Sequence, residues 1–156
     1  MAIRHIVKEG DAVLRKKARP VTDFGAKTQM LIDDMIDTLY DVGNGIGLAA
    51  PQVGMLRRIF IIDLQDEDGL GLIVFVNPEI TSTSGSQICQ EGCLSIPGKW
   101  GDVERPENLT VRAQDRNGEW FELEADGLLA NCIAHEYDHL EGILFTDKLI
   151  GELMSS

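Results

Sequence analysis

The chain is short of cysteine, of positive charge and of long apolar runs, and each shortage narrows what it can be. Cysteine occurs three times, at Cys89, Cys93 and Cys132. A small odd number excludes a disulfide scaffold. With no apolar signal region after Met1-Ala2-Ile3-Arg4-His5, it points to a reducing, cytoplasmic setting. Lysine and arginine total 14 against 26 acidic residues, a net charge of −12. That acidic field argues against a dedicated nucleic-acid binder. Arg15, Lys16, Lys17 and Arg19 form a local basic cluster, read as a solvated loop. The longest apolar runs, such as Leu72 to Val76, are far too short to cross a membrane. Apolar content of 44% and charged content of 26% are those of an ordinary globular protein. No repeat, linker or second domain is visible, so 1–156 reads as one domain with a single core.

Histidine is also scarce, yet two of the three stand together in His135-Glu136-Tyr137-Asp138-His139. This is H-E-x-x-H. Four residues advance about 400° around a helix, so the imidazoles lie about 40° apart and both reach one metal ion. Glu136 sits about 100° round from His135, close enough to touch a water there without being a ligand. The bland alternative is a helix with two surface histidines beside acidic neighbours. The specific mechanism attached to H-E-x-x-H weighs against it. Two histidines leave a catalytic metal one protein ligand short.

The rest of the chain supplies a frame. A helix is expected from Thr22 or Asp23, either of which could cap it. Ile32, Met35, Ile36, Leu39 and Tyr40 form its apolar stripe, with Asp33, Asp34 and Asp37 off it and Gly43 to end it. Gly45-x-Gly47-x-x-Ala50 formally matches a dinucleotide fingerprint. A helix precedes it and Pro51 follows at once, so that reading is rejected. A stretch this rich in small residues suits either a close backbone approach to a ligand or a plain loop. Strands are expected over Arg57 to Leu64 and Leu72 to Val76, the second ending near Asn77-Pro78, with a polar turn at Asp66-Glu67-Asp68-Gly69 between them. Thr81 to Ser86 reads as a loop or exposed edge. Asn108 to Asp115 and Glu119 to Ala125 read as a hairpin turning at Arg116-Asn117-Gly118. A last helix is expected over about Gly127 to Glu141, capped by Asp126 and stopped by Gly142. Leu128, Leu129, Cys132, Ile133 and Leu140 make it largely buried.

The third ligand is the open question. One large class continues H-E-x-x-H-x-x-G-x-x-H. Gly142 matches its glycine, but Phe145 stands where its third histidine would be, which excludes it. Another class takes a glutamate from a later helix, and the stretch from His139 to Ser156 is short for a helix that returns. Glu141 and Glu152 remain formal candidates. Upstream, His5, the cysteines and many carboxylates compete. Cys132 lies seven residues from His139, about 10 Å along the axis, too far for a short side chain to share the ion. Cys89 and Cys93 remain, with Gly92 beside Cys93 allowing close approach to another element.

Three segments together resemble the peptide deformylase family. Gly45-Ile46-Gly47-Leu48-Ala49-Ala50-Pro51-Gln52 resembles its G-x-G-x-A-A-x-Q segment. Glu91-Gly92-Cys93-Leu94-Ser95 is similar to its E-G-C-L-S segment, and His135-Glu136-Tyr137-Asp138-His139-Leu140 to its H-E-x-D-H-L. The resemblance implies an α+β fold, with antiparallel or mixed β-sheets packed around a central C-terminal helix carrying H-E-x-x-H, and one N-terminal helix. It implies removal of the formyl group from N-terminal formyl-methionine of new proteins, releasing formate. The alternative is an H-E-x-x-H metallopeptidase cutting other peptide bonds. By resemblance Cys93, His135 and His139 are the metal ligands, for Fe(II), with Zn, Ni or Co able to occupy the site. Glu136 is the proton carrier, and the Gln52 amide and Leu94 N–H hold the oxyanion. Ile46, Gly47, Leu94 and Leu128 line the methionine pocket. The partners implied are formyl-methionyl nascent peptides and, transiently, the ribosome, without the longer C-terminal docking helix of some members. Two positions depart from the pattern. Trp100 stands where many members carry a substrate-holding arginine, with Arg105 nearby, and Asn131 stands where some carry an apolar pocket residue.

Overall fold

A computed structural model describes residues 2–43, 45–65 and 71–155. The expected turn at Asp66-Glu67-Asp68-Gly69, and Asn44 within the small-residue stretch, lie outside the described residues.

Helix α1 spans Ala26–Val42 and ends at Gly43, whose φ of 85° is left-handed. It begins later than expected. Asp23 accepts the Gly25 N–H at 2.8 Å, and Thr28 donates its hydroxyl to the Asp23 carbonyl. Asp23 thus closes a turn ahead of the helix instead of capping it. The stripe also differs at its edges. Ile32, Met35 and Leu39 are fully buried, but Tyr40 is exposed and its hydroxyl donates to Asp63. Asp34 is buried, because the Ala2 N–H and Arg4 satisfy its carboxylate.

Five antiparallel strands form the main sheet: β1 (Gly47–Ala49), β2 (Ile59–Ile62), β3 (Ile73–Ser84), then, in chain order after two strands of a second sheet, β6 (Asn108–Gln114) and β7 (Trp120–Asp126). Their order is β1-β2-β3-β6-β7. The second sheet has the order β4-β5-β8, from β4 (Gln87–Cys93), β5 (Ile96–Arg105) and β8 (Met154–Ser155). Strand β3 does not stop at Asn77-Pro78. Asn77 takes a φ of 50° and its side chain bonds both the N–H and the carbonyl of Val21. The register shifts between Val76 and Glu79, and the strand continues to Ser84. A bulge lets a strand carry proline without breaking. The β6–β7 hairpin forms as expected, with Asp115 accepting from the Asn117 and Glu119 N–H groups.

Helix α2, Gly127–Leu140, follows Asp126, whose side chain makes no capping bond. The two helices cover opposite faces of the main sheet. Phe60, Ile62 and Phe75 pack with Ile133 and Leu140 of α2. Ile59, Ile61 and Val76 pack with Ile32, Met35 and Leu39 of α1. This explains the unbroken apolar run Ile59-Phe60-Ile61-Ile62: alternate residues face different helices, so both faces are dry. Each such side chain contributes about 1.5–3 kcal/mol of burial. A third apolar cluster joins Ile96 and Val103 of β5 to Leu14, Leu144 and Phe145. It anchors the small sheet beside α2.

Candidate metal centre and cleft

Helix α2 carries His135 and His139 one turn apart, both buried. Strand β4 brings Cys93 to them at its last residue, where the β4–β5 register shifts between Gly92 and Cys93. The ligand atoms of Cys93, His135 and His139 all lie within 4.8 Å of one another. Cys93 Sγ is 3.4 Å from His139 Nε2. Among the described residues no other cluster of three such donors occurs. One thiol and two imidazoles in a partly closed site are a donor set suited to a divalent transition metal. The other candidates lie elsewhere. His5 and Glu152 are exposed, and Glu141 pairs with Arg58 and Lys17. Cys89 and Cys132 are buried, and burial pushes the Cys132 thiol up to about 12. Phe145 packs its ring against His135, at 6.3 Å between centroids and 27° between planes.

Behind the cluster runs a chain of buried charges. His135 Nδ1 is 2.8 Å from Glu91 Oε1. Arg105 donates to both Glu91 oxygens, at 2.7 and 2.8 Å, and to Asp138 at 2.6 Å. Lys148 reaches Asp138 at 3.0 Å from the surface side. Holding one ring nitrogen of His135 in this way turns the other toward the cluster. Burial works against the charge on Glu91, but Arg105 and His135 overcome it and draw its carboxyl down to about 2. Burial also favours neutral imidazoles. At His135, Cys93 and Glu91 outweigh it and hold the pKa well above the ordinary value. At His139 burial prevails, helped by His135 and Arg105, so that ring stays neutral. Glu91 was missed as a site residue in the sequence, and Arg105 was considered there only as a substrate-holding residue. One signal was present: Glu91 precedes Cys93 by two on a strand and so shares its face.

Glu136 is buried and its Oε1 has no hydrogen-bond partner among the described residues. Burial pushes its carboxyl up to about 7, while His135 pulls it back. The small-residue stretch has an unexpected purpose here. A Cβ at Gly47 would sit 2.6 Å from Glu136 Oε2. Any side chain at this position would therefore crowd the Glu136 carboxylate where it now sits. Gln52 is held in a 3-10 turn over Ala50–Val53. Its Oε1 accepts the Ala49 N–H at 3.0 Å, and its Nε2 donates to Ser95 Oγ at 3.2 Å and toward Cys93 Sγ at 3.5 Å.

A cleft of about 660 Å³ opens beside the cluster and brings together Ile46, Gly47, Gln52, Leu94, Leu128 and Glu136. All the residues expected to line the site or act in it thus border one space or the metal cluster. Arg105 does not replace the missing substrate-holding arginine, because it is 2% exposed and fully engaged. The cations that border the cleft are Lys8 and Lys99.

A family model described as polypeptide deformylase matches residues 3–153. The chain belongs to that family. A peptide deformylase from Caldicellulosiruptor bescii is 54% identical over 150 residues, covering 96% of this chain and 87% of that protein. The crystal structure of a Legionella pneumophila peptide deformylase is 50% identical, with a TM-score of 0.90 over 95% of this chain and 86% of that one. That of Thermotoga maritima is 39% identical, with a TM-score of 0.91 over 97% and 100%. These relatives share the α+β fold with its C-terminal helix. As a peptide deformylase the chain is a metal-dependent hydrolase that removes the N-formyl group from nascent peptides. The relatives do not favour the general metallopeptidase. No helix among the described residues is long and apolar enough to cross a membrane.

Proposed function

We propose that the deformylase works through a metal held by Cys93, His135 and His139, with Glu136 as proton carrier. A divalent ion held there, Fe(II) with Zn, Ni or Co as substitutes, would supply a Lewis acid that eases deprotonation of the attacking water near neutral pH. Glu136 takes the proton of the attacking water and later delivers it to the departing amine. A carboxyl pushed up to about 7 by burial is suited to both steps. The Gln52 amide and the Leu94 N–H receive the oxyanion. Gln52 meets this role already fixed, because its Oε1 is tied to the Ala49 N–H. Glu91, Arg105 and Asp138 hold His135 in place. Ile46, Gly47, Leu94 and Leu128 flank the first side chain of the substrate. That substrate emerges from a ribosome, so transient ribosome association and a cytoplasmic location belong to the same reading.

The observation that carries the proposal is a buried glutamate with an unpaired oxygen beside a Cys-His-His cluster. The test is Glu136→Gln, assayed for formate release from formyl-Met-Ala-Ser and for bound metal. Turnover should fall roughly 10²–10⁴-fold while metal content holds. Unchanged turnover would remove Glu136 from the chemistry.

A further inference from the structure

Six of the chain's 14 lysine and arginine residues meet beyond the C-terminal end of helix α2: Arg15, Lys16, Lys17, Arg19, Arg57 and Arg58. The segment 15–19 runs past that end. The Ala18 N–H donates to the Leu140 carbonyl at 2.8 Å, and a Cβ at Gly142 would sit 2.6 Å from the Arg15 carbonyl oxygen. Arg19 forms a backbone bridge with Arg57, and the Arg58 N–H donates to the Arg19 carbonyl at 2.9 Å. The helix end accounts for half of the cluster. Arg58 donates to the Ala18 and Leu140 carbonyls and pairs with Glu141, Lys17 pairs with Glu141, and Arg15 pairs with Asp147. Cations are favoured there by the last carbonyls and the helix dipole. Lys16, Arg19 and Arg57 are not explained this way. All three are exposed, and none forms an ion pair among the described residues. A patch with three unmatched cations runs against the field of a chain whose net charge is −12.

We propose that this basic edge docks the enzyme on the phosphate backbone of ribosomal RNA. This rests on the ribosome encounter named under Proposed function. Four of the six cations are arginine, whose planar fork pairs with phosphate oxygens two at a time. An anionic membrane fits less well. The exposed large apolar side chains, Leu128, Ile150 and Met154 among them, all lie outside 15–19 and 55–58, so nothing at the edge would enter a lipid interface. The edge also stands clear of the cleft, which none of the six residues borders. Leu128, at the cleft, and Leu140, at the edge, stand about 18 Å apart along α2. Docking by the edge therefore leaves the cleft open to an emerging chain.

The experiment is co-sedimentation of the metal-loaded full chain with purified bacterial ribosomes at rising salt, for wild type and Arg19→Gln/Arg57→Gln. Formate release from formyl-Met-Ala-Ser, a free peptide, reports the folded fraction and should be the same in both. Arg57→Gln alone serves if the double variant loses that activity. Wild type should pellet with ribosomes, less so as salt rises, and an excess of purified ribosomal RNA should displace it. The double variant should bind at least roughly tenfold more weakly at low salt, with the slope of log affinity against log salt shallower by about two, one for each lost phosphate contact. Equal affinity and slope in wild type and variant would overturn the proposal and leave the ribosome encounter standing. A wild type that pellets with neither ribosomes nor ribosomal RNA would overturn both. Binding that excess ribosomal RNA does not displace would move the contact to a ribosomal protein and overturn the proposal. Tighter binding to phosphatidylglycerol vesicles than to ribosomes, lost in the same variant, would overturn it in favour of a membrane.

Discussion

The two sides of helix α2 are built on opposite terms. One side presses Ile133 and Leu140 against Phe60, Ile62 and Phe75 of the main sheet. The other side holds His135, Glu136, Asp138 and His139 beside Glu91 and Arg105, all buried. The first side is stabilised by area removed from water and has no need of exact partners. The second is stabilised only while each charge keeps its partner. The orphan atoms mark where that pairing is deliberately incomplete. Asn131 Oδ1, Glu136 Oε1 and His139 Nδ1 are the buried side-chain atoms without a partner among the described residues. All three belong to the helix face next to the cleft and cluster. The difference teaches that both sides of one helix hold the fold, one by apolar burial and one by matched charges, while the chemistry sits on the charged side alone.

Paired substitutions can break this comparison. Phe60→Ala and Arg105→Met should each cost about 3–5 kcal/mol of unfolding free energy, for different reasons. The first opens a cavity, and the second strands the charges of Glu91 and Asp138. Their metal affinities should part. Phe60→Ala should keep its metal, whereas Arg105→Met should weaken it about 10–100-fold by freeing Glu91 and with it His135. Denaturant titration and metal competition measure both quantities. Equal metal affinity in the two variants would mean that the charge chain is structural only.

A smaller effect comes from the proton on one member of that chain. The Glu91 carboxyl lies at about 2 in the folded protein, below its usual value of 4.5. The unfolded state therefore binds a proton first as pH falls. The stability from Glu91 is complete above about 4.5 and is lost as pH drops through about 2. Thermal melts of wild type and Glu91→Gln should diverge above pH 4.5 and converge as acid is added. A constant gap between them across this window would contradict the assignment.

Much of the fold was legible in the sequence because it rests on periodic burial. The α1 stripe, the Ile59–Ile62 run, the Asn117-Gly118 hairpin and helix α2 all show it. Strands β4 and β5 were not legible. Their inward positions include Glu91 and Arg105, which interrupt the apolar alternation that signals a strand. The extension of β3 past Pro78 depended on Asn77 bonding Val21, a contact 56 residues apart in sequence. The site divided in the same way. H-E-x-x-H announces itself by spacing, and elimination left Cys93 and Cys89 both standing. Only the resemblance, and then the β4 register, separated them. The fit of Gly47 to Glu136 depends on two distant segments meeting, which no local pattern reports.

The central claim is that Cys93 completes the metal site with His135 and His139. Its most direct test is metal content per chain, by mass spectrometry, in anaerobically prepared Cys93→Ala and Cys132→Ala. Cys132→Ala should retain about one ion per chain, and Cys93→Ala should fall far below it. A Cys93→Ala protein that keeps its full complement would contradict the account.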